Sequence, residues 1–438
     1  MEGFSYIKDL TYEYRADLGL AYSSPCRGTW NIVHYGLLVP EAHLIFVCPV
    51  SCLRGVVLTT AEMGPDAMKL LSTIAVGEDN ILNGDMEEEL QKGVERVIES
   101  LPKRPRMVMI YTSCIHHFLA VNYQRVYKVL REKYPDIEFT DCYMDPIMRR
   151  KTPPMANIKR QVLRPLKDVE KNPSQANIIG NCFPMGEHCD LVLYMKKKGV
   201  PFYDLTTMQS FDEYHNMASS SVNFSFHGNV KWAAKDLEVR LHQKHVFMRE
   251  SYDYDTIDED MKKAVESLGT EAISADRITE ERKKTEEAVA DLKAYIGDTP
   301  LSIDDTAVDR PLELALYLSK RGFNVESVIM EVNGESEAVF NELKELVPLL
   351  KVYSAENFTM RRARYKHEGK IVGIGAKSAY VNDTPHFVNI NENDGMYGYA
   401  GIRHLCTLVK EAFDTEKDTK KLVQMKGLNC DIKRGCTL

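Results

Sequence analysis

Along the chain, short apolar, β-branched runs alternate with stretches in which apolar positions recur every three to four residues. That alternation predicts an α/β fold with mostly parallel sheets. Three blocks separate. In the first, residues 43–48 and 106–111 are expected as buried strands, each ending near a cysteine, and residues 88–101 and 121–133 as amphipathic helices. The second opens on residues 177–180 and runs through a helix at 187–198, a strand at 200–205, a helix at 231–241 and a strand at 245–249. The third holds strands at 299–303, 324–332, 351–354, 370–374 and 386–390, with helices at 311–321 and 336–346, the latter stopped by Pro348. Between the second and third, the Glu- and Lys-rich residues 274–296 read as a solvated connecting helix. The expected organisation is therefore an N-terminal α/β domain at 1–150, a basic linker at 151–176, a second domain at 177–273 and a helical connector at 274–298. A third domain at 299–415 and a C-terminal tail at 416–438 complete it.

Length and charge narrow the function. A chain of 438 residues accommodates about two to four domains. With 56 basic against 64 acidic residues the net charge is −8, which disfavours nucleic acid as a partner of the whole molecule. No apolar run approaches the roughly 18 residues of a membrane span, and the first residues lack an export signal, so the expectation is a cytoplasmic protein without membrane attachment. Ten cysteines dispersed through such a chain would stay reduced, which raises metal binding or redox chemistry over a disulfide scaffold.

Cys26, Cys52 and Cys114 are the most informative residues. Each is expected in a loop at a strand end, where loops beyond the carboxyl ends of parallel strands converge in space. Three thiolates brought together there suit an iron–sulfur cluster, whose usual fourth ligand would come from elsewhere in the chain or from a partner subunit. Spacing alone leaves buried, inert cysteine as the alternative.

The segment from Pro25 to Cys114 resembles the cluster-binding region of nitrogenase component 1, the α and β subunits of molybdenum–iron-type proteins and their relatives. The three cysteines occur in order, 26 and 62 positions apart, and Glu78-Asp-Asn-Ile-Leu-Asn-Gly84 is similar to the family's Glu-x-x-x-Phe-Gly-Gly element. Further on, residues 177–180 resemble the opening strand of the family's second domain and 371–377 a strand and turn of its third. Residues 398–401, Gly-Tyr-Ala-Gly, resemble its C-terminal helix start. The resemblance implies three Rossmann-like domains and an iron–sulfur cluster, [4Fe-4S] or P-cluster-like, shared at a subunit interface and ligated by Cys26, Cys52 and Cys114. It also implies a second component-1-like subunit, in a homo- or hetero-oligomer, and an ATP-hydrolysing iron protein as electron donor.

Departures accompany the matches. The cysteine and histidine that carry the nitrogenase active-site cofactor would fall near Phe226-His227-Gly228 and Ile390-Asn391, where neither stands, with His227 and His386 nearby. After Cys114 the family's Gly-Asp pair is replaced by Ile115-His116-His117. Either histidine is a candidate ligand or proton donor, against the plainer reading of one packed and one exposed. Cys142 is the same-chain candidate for a fourth ligand, with a core thiol as the default, and Cys48 is a weaker one. The pairs Cys182/Cys189 and Cys430/Cys436 lack the spacing of a zinc knuckle. Residues 373–378 resemble a phosphate loop only superficially. The basic stretch holding Arg149, Arg150, Lys151, Lys159, Arg160 and Arg164 reads as a solvated connector or as a recognition site for carboxylates or phosphates.

The leading expectation is a component-1-like subunit of a two-component reductase, with its substrate held between the three domains. A tetrapyrrole reductase-like enzyme and a non-catalytic scaffold for metal-cluster assembly are the alternatives.

Overall fold

A computed structural model describes residues 3–12, 22, 26, 31–144, 152–330, 336–354 and 357–423. Fourteen strands in this region form three sheets. The first contains β2 (Ala42–Cys48), β3 (Leu71–Ala75), β4 (Met107–Ser113) and β5 (Glu138–Met144), all parallel in the order β3-β2-β4-β5. The second contains β6 (Asn172–Ile178), β7 (Phe202–Asp204), β8 (Ser220–Ser225) and β9 (Lys244–Phe247) in the equivalent order β7-β6-β8-β9, again parallel. The third runs β1 (Phe4–Tyr6), β12 (Lys351–Ser354), β11 (Val325–Met330), β10 (Leu301–Asp304), β13 (Val372–Ile374) and β14 (Phe387–Val388). Only β1, paired with β12, is antiparallel in that sheet.

The α/β architecture with mostly parallel sheets is therefore present. Its cause is legible in β2 and β4, every residue of which is buried, as expected for strands covered by helices on both faces. Each sheet reverses its strand order once, between β2 and β4, β6 and β8, and β10 and β13. Those switch points open crevices beyond the strand carboxyl ends.

Several segments differ from expectation. The N-terminal strand completes the third sheet, not the first, because Phe4–Tyr6 pairs with Tyr353–Lys351. The second sheet's first strand begins at Asn172, inside the stretch expected as linker. Within that same stretch lies the helix Pro154–Gln161, started by Pro154 at its first turn. The helix Ala275–Ile296 is not fully solvated. It buries Thr285, Val289, Leu292 and Ile296, at helical spacing, and Arg403 of the helix Gly398–Asp414 donates to Thr285 Oγ1 at 2.9 Å.

The sheets share cores. Ile158, Leu163 and Leu166 pack in one apolar cluster with Ile179 and Phe211, joining the first and second sheets, while Val222 and Phe224 share another with Leu301 and Val328 of the third. No helix among the described residues is long and apolar enough to cross a membrane.

Candidate functional site

Beyond the carboxyl end of the first sheet, β2 leads through Pro49 into the helix Val50–Glu62, and β4 leads directly into the helix Cys114–Phe118. Cys52 is the third residue of the first helix and Cys114 the first of the second, so both stand in helical first turns, not in loops as the sequence suggested. Unpaired backbone N–H groups there favour negative charge. Cys52 is exposed and Cys114 half-buried, whereas Cys48, the last residue of β2, is buried. Burial pushes the Cys48 thiol up to about 12, with the charges of Cys52 and Cys114 adding to the rise against a hydrogen bond from Ser113. Cys52 and Cys114 are thus each close enough to Cys48 to act on it electrostatically, at the switch point of their sheet.

Two polar side chains behind them are short of partners. His116 is fully buried and neither ring nitrogen has a hydrogen-bond partner within normal geometry; burial pushes its imidazole down to about 4. Ser113 Oγ is likewise buried without such a bond to nitrogen or oxygen. His117 is exposed, so the plainer reading of the histidine pair is the one observed.

The other expected cysteines lie elsewhere. Cys26 is buried against Ala379, Phe387 and Val423, side chains of the third sheet and its surroundings. Cys142 sits within β5 opposite Tyr111 and belongs to the core; burial, then the neighbouring Asp141, pushes its thiol well up. Cys182 and Cys189 are also buried, and Cys430 and Cys436 fall outside the described residues. Among the described residues, no three His, Cys, Asp or Glu side chains are arranged to hold a metal.

The basic stretch divides. Arg149, Arg150 and Lys151 are outside the described residues, Arg160 pairs with Asp236 at 3.8 Å and Arg164 with Asp141 at 3.5 Å. Lys159 instead turns inward, 1 % exposed, and donates to Asn229 Oδ1 at 2.9 Å. Lys377 of the apparent phosphate loop is engaged by Asp305 at 2.8 Å. At the end of the second sheet, His227 Nδ1–H donates to Asp309 Oδ2 at 2.6 Å. Asp309 follows β10 of the third sheet. Sequence reasoning passed over it because an acidic residue in a loop carries no local signal, and its partner is 82 positions away.

A family model described as nitrogenase component 1 type oxidoreductase matches residues 35–413. No curated protein matches the sequence. Among solved structures, the chain is similar to one titled "Nitrogenase Cp1 at pH 6.5", with a TM-score of 0.64 and 14 % identity over 93 % of this chain and 95 % of that one. A second, "Nitrogenase Cp1 at pH 5", gives a TM-score of 0.57 at 11 % identity, covering 90 % of each chain.

Proposed function

Because the chain belongs to the nitrogenase component 1 type oxidoreductases, we propose that it is the cluster-bearing subunit of a two-component reductase supplied with electrons by a separate ATP-hydrolysing iron protein. The observation that carries this reading is that Cys52 and Cys114 stand in the first helical turns after β2 and β4, each within electrostatic reach of Cys48, at the switch point of the first sheet. Their accessibility suits a shared group: an exposed thiol and a half-buried one, backed by Cys48, present sulfur outward for a ligand set completed elsewhere.

The surroundings suit a subunit interface. Val50, Leu82 and Phe118, all more than 65 % exposed, occur in segments that follow β2, β3 and β4 at this same end of the sheet. Exposed apolar side chains gathered around candidate ligands suit burial by a second component-1-like subunit, which would supply the remaining ligands. Cys26 is retained as the third thiolate of this chain. Its side chain packs beside the third sheet, so a site including it joins the third sheet to the first.

When bound, such a cluster stores and passes single electrons at low potential. The chain's own part is to hold the thiolates against helix N-termini, to keep His116 neutral and buried behind them, and to exclude water with the buried ends of β2 and β4. Iron and acid-labile sulfide per chain, measured on anaerobically purified protein, test the reading. Stoichiometric iron and sulfide that vanish in Cys52→Ala and in Cys114→Ala and fall in Cys26→Ala are expected. Metal-free wild-type protein after anaerobic reconstitution overturns the proposal, and full retention in Cys26→Ala moves the third ligand to Cys48 or to the partner.

A further inference from the structure

Where the helices beside the second and third sheets meet, two histidines lie face to face. His188 stands in the segment that leads from β6 into the helix Asp190–Lys198, and His404 lies two turns into the helix Gly398–Asp414. Their imidazole centroids are 3.4 Å apart, with 6° between the ring planes. The stack sits on a backbone seam. The His188 carbonyl accepts the Tyr397 N–H at 2.9 Å, the Asp190 N–H donates to the Tyr397 carbonyl at 3.2 Å, and Cys189 forms a parallel bridge with Tyr397. Gly401 lets the helix come this close, since a Cβ there would lie 3.3 Å from the His188 carbonyl oxygen.

The pair is open to protons and resists taking two of them. The His188 side chain is 37 % exposed and His404 is half-buried, so solvent reaches both rings. Glu187 Oε1 lies 3.6 Å from His188 Nε2 on its own segment, Asp394 faces both rings from the loop after β14, and Glu411 acts from the helix that carries His404. The other charged neighbours are engaged elsewhere: Arg403 pairs with Glu281 at 2.8 Å, and Asp190 accepts the Tyr399 and Ala400 N–H groups. Burial and then the His188 charge outweigh the carboxylates and push the His404 imidazole down. A neutral imidazole stacks on a neutral or a charged one, whereas two imidazolium rings at this separation repel each other strongly in a partly desolvated place.

We propose that His188 and His404 form a proton-sensitive clasp between the helices of the second and third sheets, closed while the pair carries at most one proton and opened when both rings are charged. Opening parts the segment before the helix Asp190–Lys198 from the helix Gly398–Asp414, so the hold of the second unit on the third varies with pH. The sign is definite. A histidine held below its ordinary 6.5 binds fewer protons closed than open, so closure is fully favoured above about pH 6.5 and weakens as pH falls below it. Asp190, on the same segment, acts in the opposite sense, because its raised carboxyl binds more protons in the closed form. Loosening on acidification therefore belongs to the histidines and not to the Asp190 cap.

Hydrogen–deuterium exchange of the anaerobically purified full chain, read by mass spectrometry at about pH 7.5 and about pH 5.5 and corrected for intrinsic rates, tests the clasp. Protection of residues 397–404 should fall about tenfold or more at the lower pH, the factor that one pKa unit of coupling represents. The helix Met86–Ser100, beside the first sheet, should keep its protection and serves as the control for global unfolding. His404→Phe leaves a flat ring over His188 that cannot take a proton, and the fall should shrink to about threefold or less. His188→Phe gives the same readout should the first variant fail to fold, and Asp190→Asn should keep the fall. Wild-type protection indifferent to pH overturns the proposal. So does a fall that persists undiminished in His404→Phe or His188→Phe, or one shared equally by the control helix.

Discussion

Asp190, at the start of the helix Asp190–Lys198 beside the second sheet, accepts the backbone N–H groups of Tyr399 at 2.6 Å and Ala400 at 3.2 Å. The carboxylate thereby caps the helix Gly398–Asp414, which packs in the third unit, and fastens two sheets through a helix N-terminus. Gly398, with φ of 71°, is needed for this approach, because a Cβ there would lie 2.3 Å from Asp190 Oδ2. Replacing Asp190 by Ala leaves two N–H groups unpaired and should lower stability by about 2 kcal/mol in urea unfolding at pH 4.

The same residue sets a pH dependence. Burial, opposed by the Tyr399 and Ala400 N–H groups, pushes the Asp190 carboxyl up to about 6 from an ordinary 3.8. Between those values the folded chain binds more protons at this residue than the unfolded chain. The contribution of Asp190 is therefore full below pH 4 and falls as pH rises to 6. Asp190→Asn keeps an acceptor for one N–H and removes the titration, so its unfolding free energy should lack that descending component between pH 4 and 6. An unchanged slope would assign the titration elsewhere.

At the first sheet, Phe118 is 67 % and Leu82 82 % exposed. Aspartate at either position should be harmless to a lone chain and disruptive to an interface. Phe118→Asp and Leu82→Asp are expected to convert the assembled species to monomer in sedimentation velocity while melting within a few degrees of wild type. Equal masses for variants and wild type would remove this face from the assembly.

Gly375 precedes the helix Ala376–Val381 with φ of 111°, and a Cβ would meet the Asp304 carboxylate at 2.3 Å. Asp304 in turn accepts the Ser378 backbone N–H at 2.6 Å. Gly375→Ala should therefore displace this buried carboxylate from the helix start and cost about 2 kcal/mol or more, read from the urea midpoint.

Where local pattern governs, sequence and structure agree to the residue: the helix Lys231–Leu241 and the strand Lys351–Ser354 occupy the positions that periodicity predicts. Where pairing between distant residues governs, they part. β8 reads Ser-Ser-Val-Asn-Phe-Ser and has no hydropathic signal for a central strand. It is buried because Asn177 donates to Asn223 at 2.7 Å, Asn223 to Gln243 at 3.1 Å and Ser220 to Asn177 at 2.8 Å. β3 is hard to see for another reason, since at the sheet edge only Leu71 and Ile74 are buried.

The candidate site follows the same division. Position after strand-like runs marks Cys52 and Cys114, and the structure sets each within electrostatic reach of Cys48. Cys48, within a strand, reads as the weaker candidate, yet as the strand's last residue it lies within electrostatic reach of both. Lys159 looked like one cation of a solvated run, and only the packing of Pro154–Gln161 against the second sheet's segment Gly228–Val230 and helix Lys231–Leu241 shows it buried.

β1 has a consequence for how the molecule is made. Its Phe4 lies opposite Tyr353, so this strand is made long before its neighbour. At synthesis rates of about 5 to 20 residues per second, the interval is on the order of tens of seconds. During it the first two sheets hold all their strands in the growing chain, while the third waits for segments from both ends. This strand thus acts as a latch on the third sheet that closes only after β12 has been made.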